Sequence, residues 1–247
     1  MNIPEAIITL LSYAKQPSKR ELIKEAHKLR GKIGIEIGGP TILFGLKGCF
    51  PVYLFAERID GVNFSNETIW EGKIQQGNNY EYYKNKTGYQ YIAEATDLQK
   101  IPGNAYDFVL SSHSLEHVAN PIKALKEWFR LLKKDGKLIL VLPDKRYTFD
   151  HKRNYTTYEH LIADYANNTN ENDTTHFEEI LTKHDETIAG VSYEDCKLAL
   201  SDNFAQRCAH HHVFSFEVTK QILEYAGFKV LSQTTIPPFH MITVATK

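Results

Sequence analysis

The chain is poor in cysteine, with 3 in 247 residues: Cys49, Cys196 and Cys208. None stands in a CxxC spacing and an odd number leaves no complete disulfide set, so the sequence reads as that of a protein of a reducing compartment, the cytoplasm. Charge of one sign is also scarce. The formal net charge is −1, and no block of about five or six like charges occurs, which argues against a nucleic-acid or anionic-membrane surface and for small-molecule chemistry. No stretch approaches the roughly eighteen apolar residues of a membrane span. At the start, Glu5 precedes a short apolar run, Ile7 to Leu11, without the basic start and small-residue cleavage site of a secretory signal.

What is present is an ordinary globular composition, 42% apolar, which predicts one core and a single domain over 1–247. The stretch that organises it is K-I-G-I-E-I-G-G-P-T, residues 32–41. Ile33, Ile35 and Ile37 are β-branched at alternate positions, as in a buried strand, and Gly38-Gly39 then lets the backbone turn. Without Cβ atoms at that turn, a nucleotide-like ligand can lie against bare amides. The dinucleotide fingerprint G-x-G-x-x-G is not met, because Pro40 and Thr41 follow the glycine pair.

In the order of the chain, Pro4, Ser18 with Glu21, and Gly31 predict helices over 4–14 and 18–30. Residues 44–58 have the length of a crossover helix, and a second strand follows at 59–64. Residues 71–88 read as a solvated excursion and 88–93 as a third strand. A fourth strand, Y-D-F-V-L-S-S-H, ends at His113. Asn120-Pro121 then opens a helix with an apolar stripe of Ile122, Leu125, Phe129 and Leu132, and Gly136 leads into the apolar fifth strand 138–142. Near the end, 216–226 reads as a helix stopped by Gly227, followed by strands at 228–233 and 241–246.

These motifs resemble class I S-adenosylmethionine (SAM) methyltransferases. E-I-G-G-P resembles the E-x-G-x-G loop, with Pro40 in place of the last glycine. E-A-T-D-L, residues 94–98, resembles the loop that reaches the adenine amine, and the run 114–143 resembles the family's loop, helix, turn and fifth strand. The resemblance implies an α/β, Rossmann-like, seven-stranded sheet with a helical insertion after the fifth strand. It implies SAM as cofactor, held by Glu36, Gly38, Gly39, Pro40, Asn63, Asp97, Leu98, Ser111 and Ser112. Asn63 stands where an acidic residue usually binds the ribose, a role that Glu57, Asp60 or Glu67 could equally fill. The expected layout is N-terminal helices 1–31, a cofactor core 32–142, a helical substrate cap 143–212 and a closing helix and strand pair 213–247.

The cap has roughly seventy residues where a connection is usually ~4–6. It holds His151, His160, His176, His184, His210, His211 and His212, seven of the chain's 11 histidines. Histidine suits both proton transfer near neutral pH and metal ligation. The catalytic candidates are His113, His117, Asp144, His211 and His212, acting as base or, for the histidines, as ligands of a divalent metal. H-S-L-E-H, residues 113–117, also matches the H-x-x-E-H of zinc peptidases, but its first histidine ends a strand where that motif needs a helix. Residues 142–153 and 207–214 resemble bacterial methyltransferase-domain proteins of capsular polysaccharide biosynthesis. That likeness implies O-methylation of a sugar or sugar-linked group, a phosphoramidate-type group among them. A non-catalytic SAM-binding subunit and a metal-dependent methyltransferase or hydrolase are the rival readings.

Overall fold

A computed structural model describes residues 17–247. The helix expected over 4–14 lies outside the described residues. The next helix is α1, Pro17–Lys28, whose Leu22 and Ala26 are buried in the core cluster on one face of the sheet.

The strands are β1 (Ile33–Ile37), β2 (Arg58–Asn63), β5 (Gly77–Tyr83), β6 (Lys86–Ile92), β7 (Tyr106–Ser112), β8 (Leu132–Pro143), β9 (Lys229–Ile236) and β10 (His240–Thr246). They form one sheet in the order β5-β6-β2-β1-β7-β8-β10-β9. From β6 to β8 the neighbours run parallel, while β10 is antiparallel to β8 and β9, and β5 is antiparallel to β6. Two short strands, β3 (Glu67–Thr68) and β4 (Gly72–Lys73), pair separately.

The sheet thus has 8 strands, not the expected seven. The addition, β5, lies in the stretch read as a solvated excursion. Tyr80 and Tyr82 alternate inward along it and are buried, a period of two hidden among Asn and Glu. The Tyr80 ring packs on Gly61 of β2, where a Cβ would stand 2.3 Å from the ring carbons.

The central strands are covered on both faces, which is why their sequences are apolar throughout. Leu138, Leu140 and Leu142 join one core cluster, and Ile139 and Val141 the opposite one. The first cluster is completed by α3 (Pro121–Leu131) and α9 (Phe216–Ala226). Asn120 caps α3 by accepting from the Lys123 amide at 3.1 Å, with Pro121 in the first turn. The helix buries Trp128 while Phe129 is half-buried, and it gives way to β8 at Leu132, before Gly136. The crossover over 44–58 holds only a 3-10 turn, Ile42–Phe44, and the short α2, Val52–Phe55. Gly45, Gly48 and Pro51 interrupt anything longer.

Residues 143–212 carry α4 (Tyr158–Ala166), α5 (Phe177–Thr182), α6 (Glu186–Ala189), α7 (Tyr193–Ser201) and α8 (Asn203–Gln206). In these five helices the buried apolar side chains are Leu161 and Leu200. Ion pairs do much of the holding. Arg207 is 7% exposed and reaches Glu94 at 2.6 Å and Glu171 at 3.1 Å, joining the loop after β6 to the segment before α5.

Candidate active site

A cavity of about 520 Å³ opens where β1, β2, β6 and β7 end. Gly38, Pro40, Asn63, Ser112, His113 and His117 line it from the core, and Tyr147, Phe149, Ile188, Arg207 and His210 from the insertion. Gly38 has φ +75 and a Cβ there would fall 2.2 Å from Ser114 Oγ, so the loop requires glycine for its conformation and for the close approach of Ser114. Asn63 Nδ2 donates to the Gly39 carbonyl at 3.1 Å, fastening the end of β2 to the loop. Ser112 Oγ is buried without a hydrogen-bond partner.

The other expected cofactor residues stand behind this lining. Glu36 is fully buried and accepts from Tyr53 Oη at 2.6 Å and Tyr80 Oη at 2.7 Å. Burial outweighs those bonds and pushes its pKa up to about 7. Gly39 packs on the Glu36 carboxyl. Asp97 is exposed in the loop after β6, and Leu98 and Ser111 are buried outside the cavity wall. Of the alternatives to Asn63, Asp60 is occupied by Tyr106 Oη at 2.9 Å and the Tyr89 amide at 2.9 Å, while Glu57 and Glu67 are exposed.

Among the catalytic candidates, Asp144 is buried as the cap of a 3-10 turn and is gripped by Arg146, with Nη2 at 2.6 Å from Oδ2. Hydrogen bonds from that guanidinium hold its pKa below the usual range. His211 and His212 are buried in the insertion and do not line the cavity. His113 and His117 do line it. His113 adopts φ +50, a strained conformation for a non-glycine residue, and its Nε2 lies 2.9 Å from His240 Nδ1.

Three residues outside the expected set complete the constellation: Glu116, Asp150 and His210. His210 Nδ1 donates to Asp150 Oδ2 at 2.5 Å, and Arg153 donates to Asp150 Oδ1 at 2.9 Å and to the His210 carbonyl at 2.7 Å. Burial presses the His210 pKa down, but the Asp150 charge and hydrogen bond outweigh it and the net shift is upward. His117 Nδ1 donates to the Ala209 carbonyl at 3.2 Å. Burial, with His210 beside it, lowers the His117 pKa to about 4, so this imidazole is neutral at pH 7.

Glu116 is 1% exposed and neither carboxylate oxygen has a hydrogen-bond partner. His113 Nδ1 stands 3.5 Å from Oε1, beyond a well-formed bond. Burial presses the Glu116 pKa up, yet the contact with His113 and the charge that His210 can carry outweigh it and the net shift is downward, so the carboxylate is ionised at neutral pH. Ligand atoms of Glu116, His117 and His210 lie within 4.8 Å of one another, a spacing that can also accept a cation. All three new residues stand in segments the sequence singles out, H-S-L-E-H, F-D-H-K-R and A-H-H-H. Spacing alone does not say which member of each joins the site.

A glycine turn at the ends of parallel strands stands under a roof that carries an aspartate-oriented histidine. A family model described as "Methyltransferase domain" matches residues 54–233. The chain belongs to this methyltransferase-domain family. A search of curated proteins returns no match. Among solved structures, an S-adenosylmethionine-dependent methyltransferase from Mesorhizobium loti is similar, with 12% identity, TM-score 0.53, and 94% of this chain and 96% of that one covered. A protein from Listeria monocytogenes described as a methyltransferase of the same kind is 17% identical, with TM-score 0.50 and coverage of 92% and 98%. The sheet is that of these SAM-dependent methyltransferases, and the cavity fits that cofactor. The volume is that of a small-molecule pocket, the bare Gly38 turn admits close approach, and Ser112 Oγ is left without a partner. Among the described residues no helix is long and apolar enough to cross a membrane.

Proposed function

We propose that this methyltransferase O-methylates a hydroxyl of a sugar or sugar-linked acceptor, with His210 as the proton acceptor. The observation that carries the reading is the Asp150–His210 pair in a residue that lines the cavity. With Nδ1–H committed to Asp150, the lone pair of the neutral ring is on Nε2, the form a general base requires. Bound SAM supplies a methyl group on a sulfonium sulfur, which departs as a neutral thioether. His210 Nε2 takes the acceptor's hydroxyl proton as the oxygen forms its bond to carbon, and the ionised Asp150 stabilises the imidazolium.

Gly38, Pro40, Asn63 and Ser112 form the cofactor side, and residues 143–212 act as a cap for the acceptor. The buried Glu116 carboxylate, ionised and lacking donors, favours an acceptor that brings a second hydroxyl, as a polyol does. The resemblance of 142–153 and 207–214 to proteins of capsular polysaccharide biosynthesis supports the same class. Free thiols at Cys49, Cys196 and Cys208 accord with a cytoplasmic setting. The test is mass spectrometry of nucleotide sugars and glycans incubated with the protein and SAM. A mass gain of one methylene unit on a hydroxyl-bearing sugar is expected. Methylation confined to nitrogen acceptors would overturn the proposal.

A further inference from the structure

The cap contains a second group of convergent side chains, away from the cavity. His160 lies on α4, His176 immediately before α5, and His212 on the segment returning to the core. One ligand atom from each lies within 4.8 Å of the others. His160 Nε2 is 3.1 Å from His176 Nε2 and 3.3 Å from Asp164 Oδ2, and His212 Nε2 is 3.0 Å from that same oxygen. Bonds of about 2.0–2.1 Å to a tetrahedral zinc place neighbouring donor atoms roughly 3.3 Å apart, close to these separations. We propose that His160, His176 and His212 bind a structural zinc ion, with Asp164 placed to close the fourth position.

The donor chemistry favours zinc: three imidazoles and a carboxylate suit a borderline cation in a closed tetrahedral site. The cap's architecture gives the ion a task. With Leu161 and Leu200 as the only buried apolar side chains of its five helices, the cap has little core of its own, and small units of that kind are commonly stapled by a metal. The ion would tie α4 and the start of α5 to the segment that returns to the core at His212. None of the four side chains lines the cavity, so the site is separate from the methyl-transfer chemistry and does not depend on the proposed acceptor.

The test uses the full chain without a histidine tag. Elemental analysis after gel filtration should find about one zinc per chain, the stoichiometry of a structural site. Stripping that chain and refilling it with Co²⁺ should give the strong visible bands of a tetrahedral centre. His176→Ala should lose the metal and the bands, whereas His117→Ala should keep both. Asp164→Asn, which leaves the imidazoles in place, should shift the bands. It serves as the second probe if His176→Ala fails to fold. Stripped wild-type protein that takes up neither Zn²⁺ nor Co²⁺ would overturn the site. So would metal retained by folded His176→Ala and lost from His117→Ala, which would move the ion to the cavity group. Unshifted bands in Asp164→Asn would remove the fourth ligand.

Discussion

His210 can accept a proton only while neutral, and its pKa is raised above the ordinary 6.5. The kcat/KM of the methyltransferase should therefore climb with pH above 6.5 towards a plateau. Asp150→Asn removes the charge that raises the pKa and leaves the burial that lowers it, so the inflection should move to lower pH. The plateau should also fall, because the charge that stabilises the imidazolium is gone. A profile with an unmoved inflection would separate Asp150 from the titrating group. His210→Ala should cost about 10²–10⁴-fold in kcat at saturating SAM, while the buried pair at His211 and His212 should affect thermal stability more than kcat. For the cofactor side, Gly38→Val forces a branched residue into φ +75 and against Ser114 Oγ. Calorimetry should show weakened SAM binding by the folded variant, and unchanged binding would take the glycine turn out of the cofactor site.

Arg207 ties the insertion to the core through Glu94 at 2.6 Å and pairs within the insertion with Glu171, where both side chains are buried, at 7% and 8% exposure. Arg207→Ala strands Glu171, whose pKa burial already pushes up to about 7 with the guanidinium in place. Removing one partner of such a pair costs about 3–5 kcal/mol, read as a lower midpoint in urea unfolding. An unchanged midpoint would show that the bridge is not a fastener. The legibility of the elements follows from how local their causes are. Helix α3 is evident because Asn120-Pro121 acts within one turn, and the central strands because burial on both faces leaves apolar runs. Strand β5 is obscured because its inward residues are tyrosines set among Asn and Glu, and only Gly61, distant in sequence, makes room for Tyr80. The cavity wall was half legible for a related reason. Gly38, Pro40, Asn63, Ser112, His113 and His117 follow from strand ends, whereas Glu116 faces the cavity from the short turn after β7, and His210, with Asp150 behind it, is brought there by a fold of the insertion that no local pattern encodes.

For the molecule as a whole, two buried carboxyls, Glu36 and Glu171, have pKa values raised from 4.5 to about 7. A carboxyl that holds its proton more tightly when folded contributes stability that is complete below its unfolded pKa and is lost as pH rises through the folded one. These groups should therefore make the protein lose thermal stability between about pH 4.5 and 7. Glu36→Gln keeps an oxygen for the two tyrosine hydroxyls and removes the titration. Scanning calorimetry across that range should show a smaller fall in Tm for the variant than for the wild type. Parallel curves would mean that Glu36 does not carry the effect.

The proposed proton acceptor and the aspartate hydrogen-bonded to it stand near the two ends of the insertion, Asp150 close after β8 and His210 close before the chain re-enters the core. Arg153, at the same root, clasps both. Of the intervening helices, α5 reaches that group through Glu179, which accepts from Arg153 at 3.3 Å. Under the proposed chemistry, the sequence between these two roots, Glu179 and the proposed zinc ligands apart, can drift while the deprotonating apparatus keeps its place. On the proposed reading, acceptor preference can diversify in the middle of the insertion without the chemistry having to be reinvented.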